Sequence, residues 1–276
     1  MNLSTVFIMT EKEIRDAKRN RWLVIISCLF MILSLSLSLL GLSGMGSFGV
    51  AGFGRTAASL LNLVLFVVPL MGLLLGAMSV VGEREQGTLL TLLAQPVTPN
   101  EIFLGKYLGG ACAIVTTLLV GFGASGLVIA RYAGLEQISD YLILVVFTVL
   151  IGLVFLSLGF CISIVARRHA TAIGLALLFW FIFIFLSDLG LMGTSIVLKL
   201  SPHELFWLVV INPVQAFKLA VIGNLEKSLE TFGAAGLYAS EIFGDWLTGV
   251  LSAVLFGWIL LPLVAALSFF RIRCVD

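Results

Sequence analysis

Six apolar stretches, each long enough to cross a hydrocarbon core of about 30 Å as a helix of roughly 20 residues, decide what solvent this chain folds in. They run Leu23–Leu42, Leu60–Val81, Ile102–Ala130, Tyr141–Val165, Thr171–Met192 and Trp246–Phe270. Within lipid the backbone must satisfy its own hydrogen bonds, which leaves helices or a closed barrel. Barrel strands would read as alternating segments of about ten residues, and these stretches do not alternate. The expected fold is an all-α integral membrane protein, one polytopic domain over residues 1–276, with an outer segment of about 193–245. Composition agrees, with 60% hydrophobic and 11% charged residues and a mean hydropathy of +1.16. The third stretch is long enough to tilt or break.

Orientation follows from Lys and Arg. With the N-terminus inside, the inner segments hold Lys12, Arg15, Lys18, Arg19, Arg21, Arg84, Lys106, Arg167, Arg168, Arg271 and Arg273, and the outer ones only Arg55, Arg131, Lys199, Lys218 and Lys227. This bias predicts that both termini are cytoplasmic. The basic lead before the first stretch is too extended, and the apolar run too long, for a cleaved signal, so the reading is a retained first span. The net charge of +1 conceals a basic inner and an acidic outer side, and no nucleic-acid binding is indicated.

Before the first span, Leu3, Phe7, Ile14 and Ala17 share a helical face while Glu11, Lys12, Arg15, Lys18 and Arg19 take the rest, with Trp22 following. This predicts an amphipathic helix lying in the membrane interface, where Trp22 anchors at headgroup level. Ser27, Ser34 and Ser38, Gly72 and Gly76, and Gly105 and Gly109 recur at the spacing that lets helix backbones approach. In the outer segment Pro202 and Pro213 punctuate two apolar-periodic pieces, read as two short amphipathic helices on the outer surface that cap the bundle or dock a partner.

Several chemistries find little footing. No G-x-x-x-x-G-K-[ST] occurs, so the chain does not hold ATP in a phosphate loop. The Gly-x-Ser-Gly matches at 41–44 and 123–126 lack a base within a span, since the histidines are His169 and His203 in loops. "HELFW" carries Trp207 where a zinc protease needs its second histidine. The chain is therefore not read as an enzyme. Cys28, Cys112, Cys161 and Cys274 form no CxxC or disulfide framework, and no metal site or bound cofactor is assigned. Met71 and Met78 are soft donors that a soft ion could pass, and equally ordinary core fillers. Asp188 is an acid inside an apolar run, a translocation-path candidate with Ser187 beside it, yet it lies within a turn of the outer end.

The segment "VGEREQGTLLTLLAQPVTPNE" is out of character with its surroundings. Glu83 and Glu85 precede an apolar face of Leu89, Leu90, Leu92 and Leu93, Pro96 ends the piece, and Thr98 and Asn100 open the next helix with Pro99 at its first turn. Leucines exposed in cytoplasm ask for a partner.

This segment, with Glu83, Arg84, Glu85, Gly87, Thr88 and the following "IFLGK" start, resembles the conserved segment of ABC-2 exporter permeases, and the resemblance extends over the whole chain. It implies six spans, an amphipathic start, and a cytoplasmic coupling helix seated in a separate ATPase subunit that binds ATP and Mg. Within the family, "EKEIRDAKRNRW" and "NPVQAFKLAVIG" are most similar to permeases of the nitrous oxide reductase maturation system. There the outer segment reads Asn-Pro-x-x-x-Phe-Arg, and this chain has Asn212, Pro213, Phe217 and Lys218, keeping the charge but losing the guanidinium fork. The resemblance implies a homodimer in the bacterial inner membrane, two ATPase copies, and a periplasmic β-helix protein contacting Asn212–Lys218. It also implies service to the reductase's copper–sulfur centres, by moving a sulfur or copper species or by driving the periplasmic partner. A general exporter of drugs, lipids or polysaccharide, and a non-transporting membrane anchor, compete with that reading.

Overall fold

The computed structural model describes residues 3–43, 50–88, 97–132, 138–190, 193, 201–226 and 233–275. Among these the secondary structure is helical throughout. Helix α1 (Leu3–Arg19) precedes α2 (Arg21–Ser43), α3 (Val50–Glu85), α4 (Pro99–Tyr132) and α5 (Ile138–Val165). Helix α6 (His169–Phe181) continues through a wider π turn at Ile182–Leu186, and α7 (Pro202–Ile211), α8 (Pro213–Glu226), α9 (Gly233–Phe243) and α10 (Leu247–Val275) follow.

Six helices have the length and apolarity to span, over Arg21–Gly41, Gly54–Glu85, Pro99–Tyr132, Ile138–Val165, His169–Gly190 and Leu247–Ile272. Each coincides with one of the six stretches in the sequence. The third, expected to tilt or break, is one continuous helix. Its start is specified locally: Pro99 takes the first helical position, where a missing N–H costs nothing, and the Glu101 carboxylate accepts from the Thr98 N–H at 3.0 Å.

The core is built around α3 and α5, the two most buried spans. They meet at glycine: a methyl added at Gly76 would lie 2.5 Å from the Leu156 carbonyl oxygen, and one at Gly159 2.6 Å from that of Leu73. Without a hydrophobic drive between helices in lipid, such backbone contact supplies the dispersion that holds them. The Ser163 hydroxyl then accepts from the Val80 and Val81 N–H groups at 2.9 and 3.0 Å, stitching the helices where they emerge.

Helix α1 lies across α4. Cβ atoms added at Gly105 and Gly109 would collide with the side chains of Met9 and Glu13, so this glycine pair accommodates α1 and not another span. Val6 is buried in that contact, whereas Leu3, Phe7 and Ile8 are exposed. Helix α1, the ends of α3, α5 and α10 and the starts of α4 and α6 share one end of the bundle, here termed the basic end. Arg271 closes it by donating to Asn100 Oδ1 at 2.6 Å.

The outer segment departs from expectation. Its two pieces are α7 and α8, bent by 111° across Asn212–Pro213, and α8 does not lie on a surface. Val214, Ala216, Phe217, Leu219, Ala220 and Val221 are all buried where α8 packs against α5 and α10. Its apolar residues occur on too many sides for an amphipathic helix, and only insertion covers them.

Candidate functional site

Helix α3 ends where the sequence is most charged, and its last residues point in two directions. Arg84 donates to the carbonyl oxygens of Ile164 and Ala166 at 3.2 and 3.0 Å. These acceptors belong to the end of α5, where a helix leaves carbonyls unpaired and favours a cation. Glu85 accepts from the backbone N–H of His169 at 2.9 Å, a carboxylate set at the start of α6. Arg84 and Glu85 thus bolt the end of α3 to the α5–α6 turn. Gly87, with φ +73, turns the chain away through a left-handed conformation that other residues rarely adopt, and Thr88 Oγ1 donates to the Glu83 carbonyl at 3.3 Å. Leu89, Leu90, Leu92, Leu93 and Pro96 lie outside the described residues.

Glu83 turns the other way, into a buried ionic cluster that sequence reading missed. The ammonium of Lys106, 3% exposed, lies 2.8 Å from Glu83 Oε1 and 2.8 Å from Glu13 Oε1, and 3.3 Å from the Ser79 carbonyl. Three acceptors match its three N–H donors. Lys12 reaches Glu83 at 3.2 Å from α1. Burial works against the Lys12 charge, but Glu83, with Glu13 and Asp16, more than offsets it and raises its pKa above the ordinary lysine value. The cluster ties α1, α3 and α4 together. Its only signal in the sequence was a lysine placed just inside a span, which reads equally as a topology residue.

Beside the cluster opens a cavity of about 500 Å³ lined by residues of α1 to α6. Met71, Leu74, Leu75 and Met78 line it along one face of α3, and the same face continues to Ser79, Gly82, Glu83 and Gln86. Met71 and Met78, named from the sequence as soft donors, therefore share one cavity wall. Among the described residues no group of three His, Cys, Asp or Glu side chains could hold a metal ion. The His169 ring occupies the space beside Gly82, where an added Cβ would sit 3.1 Å from Nε2.

At the opposite end the structure unites two candidates that the sequence presented separately. Lys218 of α8 donates to both carboxylate oxygens of Asp188 at 2.8 Å. The buried Gln215 side chain donates to Asp188 Oδ1 and to Ser187 Oγ, the latter at 3.1 Å. Ser187 and Asp188 are thus held by α8. Asn212 Oδ1 accepts from the Val214 N–H at 2.8 Å and Pro213 opens α8, which together form the bend. Phe217 is fully buried within the chain. Asn212, Phe217 and Lys218 thus each have contacts within the chain.

The described geometry is that of a multi-span membrane subunit, and comparison with known proteins identifies its family. The ABC-2 family transporter protein description matches residues 7–273. A "Probable ABC transporter permease protein NosY" of Stutzerimonas stutzeri is 33% identical over 98% of this chain and 99% of its own length. A protein of the same name from Pseudomonas aeruginosa is 36% identical over 82% of this chain and 84% of its own. Permease subunits of ABC transporters are generally non-catalytic and work with an ATPase partner. The chain belongs to the ABC-2 family and is a multi-span ABC transporter permease similar to NosY.

Proposed function

We propose that this permease serves the maturation of the copper–sulfur centres of nitrous oxide reductase. In this reading it lies in the bacterial inner membrane as a homodimer, with both termini and the basic end in the cytoplasm. It binds two copies of a cytoplasmic ATPase that holds ATP and Mg, and a periplasmic β-helix protein at the opposite end. It transmits ATP hydrolysis to transport of a sulfur or copper species or to movement of that periplasmic partner. The similarity to two NosY permeases supports the pathway, as does the resemblance of the Asn212–Lys218 stretch.

One observation carries the mechanism: Glu83, Arg84 and Glu85 fasten the end of α3 simultaneously to α1, α4 and the α5–α6 turn. A displacement of the following segment 89–96 by an ATPase therefore cannot bend α3 alone. It moves the basic end as a body, and α3 and α5, locked by glycine contact, carry the motion across as rods. The test is a host strain lacking this chain, with nitrous oxide reductase purified and its copper–sulfur centre followed by visible and electron paramagnetic resonance spectra. Reductase without the centre, restored by the wild-type gene, is expected. Reductase with an intact centre would remove the pathway and leave a general ABC-2 exporter.

A further inference from the structure

Helix α6 is fastened at its two ends to different parts of the molecule. At the basic end Glu85 accepts from its first N–H, that of His169, at 2.9 Å. At the opposite end Ser187 and Asp188 are held by Gln215 and Lys218 of α8. A regular α-helix between two such fastenings would oblige both parts to move as one. This helix is not regular. At Ile182–Leu186 it widens into a π turn, where the Ser187 N–H reaches back five residues to the Ile182 carbonyl. Just before it, the Ile182 N–H is shared between the Leu178 and Phe179 carbonyls. Such turns are rare and frequently sit at functional sites.

The side chains around the turn show why it forms there. In a regular helix Trp180 and Phe185, five residues apart, would diverge by about 140° around the axis. The wider turn brings their rings within 5.6 Å, and both pack on Phe66 of α3, at 6.4 and 5.9 Å. Trp180 also donates its indole N–H to the Phe66 carbonyl at 3.0 Å. That acceptor lies one turn before Pro69, whose missing N–H removes the helix bond to the adjacent Leu65 carbonyl and opens the turn to an outside donor. From Gly72 onward α3 is locked to α5 by backbone contact, so Trp180 is seated on a fixed frame. The outer side of α6 is free: it is the least buried of the six spans.

We propose that the π turn is a hinge that lets the inner part of α6 follow the basic end while its outer end stays with α8, and that Trp180 is the pin about which it turns. The indole bond and the two ring contacts on Phe66 fix the position of the turn, and the missing regular ladder across it leaves the angle between the two parts of α6 variable. The hinge belongs to the fold and serves any cargo.

The experiment measures double electron–electron resonance on the full chain in lipid nanodiscs, with Cys28, Cys112, Cys161 and Cys274 replaced by serine and the labelled chain diluted in unlabelled chain. Spin labels at the exposed positions Ala170 and Leu189 report on α6, and labels at Leu108 and Leu127 on the uninterrupted α4, each pair nineteen residues or about 28 Å of rise apart. The distance distribution of the α6 pair is expected to be at least about twice as wide as that of the α4 pair, since bending concentrates at π turns. Deletion of Ile182, a lipid-exposed residue, closes the π turn to an α turn and narrows the α6 distribution to the α4 width. Trp180→Phe keeps a ring on Phe66, loses the indole bond and widens the distribution beyond wild type. An α6 distribution as narrow as that of α4 in the wild-type chain overturns the proposal, as does a width that the deletion leaves unchanged in folded chain. A Trp180→Phe width equal to wild type overturns the assignment of Trp180 as the pin.

Discussion

Lys106 shows what one side chain contributes when burial and pairing are both complete. Its ammonium is shielded from water and surrounded by Glu13, Glu83 and the Ser79 carbonyl. Replacing it by methionine leaves two partly shielded carboxylates with only the more exposed Lys12 between them. Lys106→Met is expected to destabilise the protein by about 3 kcal/mol, the lower end for breaking a buried pair because both acids keep some water. A thermal-unfolding series in detergent checks it, and a midpoint equal to wild type would show the cluster to be ornamental. At the opposite end, Asp188 and Lys218 form an ion pair. Asp188→Asn and Lys218→Met are expected to lower maturation activity by similar amounts, and the charge-swapped pair Asp188→Lys with Lys218→Asp to recover part of it. An Asp188 that acted alone on a translocated ion would gain nothing from the swap. Neither pairing was legible in the sequence, since Lys106 and Glu13 are 93 residues apart and Asp188 and Lys218 30 apart. A charge near a span end reads as topology until its partner is placed. The polarity of Glu83–Glu85 was legible as a feature, but not the division by which Glu83 faces inward and Glu85 caps α6.

Among elements, the contact between α3 and α5 is the most exacting. Gly76→Ala pushes a methyl against the Leu156 carbonyl, a backbone atom that cannot yield. A loss of about 1–3 kcal/mol is expected for such overpacking, with Gly76→Leu failing to assemble. Gly174→Ala and Gly257→Ala, with nothing within 4 Å of the added carbon, are expected to match wild type in the same midpoint measurement. Helix α7 offers a pH-dependent counterpart. Ser201 and Glu204 form a reciprocal capping box, and the backbone N–H and hydroxyl of Ser201 hold the Glu204 carboxyl below the ordinary glutamate value. A depressed carboxylate contributes while ionised, so its support is present above the ordinary value and lost as pH falls through the depressed one. Amide protection at the start of α7, relative to the intrinsic exchange rate at each pH, is expected to fall on acidification and in Ser201→Ala at neutral pH. The spans were legible because length and hydropathy suffice to define a helix in lipid. The fate of α8 was not: its apolar residues announce burial somewhere, but only the 111° bend at Asn212–Pro213 sends it between α5 and α10.

Over the whole molecule, the proposed coupling runs from the charged basic end along two rods locked through glycine to the inserted α8. Arg84 is a pivotal point on it, since the guanidinium joins the end of α3 to the Ile164 and Ala166 carbonyls at the end of α5, next to the Ser163 contacts. Arg84→Met is therefore expected to leave the ATPase bound but to uncouple its turnover from reductase maturation, measured as hydrolysis continuing while the copper–sulfur centre is lost. In the proposed function this permease joins an ATPase on one side to a maturation partner on the other. The most direct measurement is purification of tagged chain from its native membrane in mild detergent, followed by mass spectrometry of the proteins retained. A cytoplasmic ATPase together with a periplasmic β-helix protein is the expected result; recovery of the chain without any ATPase would rule out its role as a coupled permease.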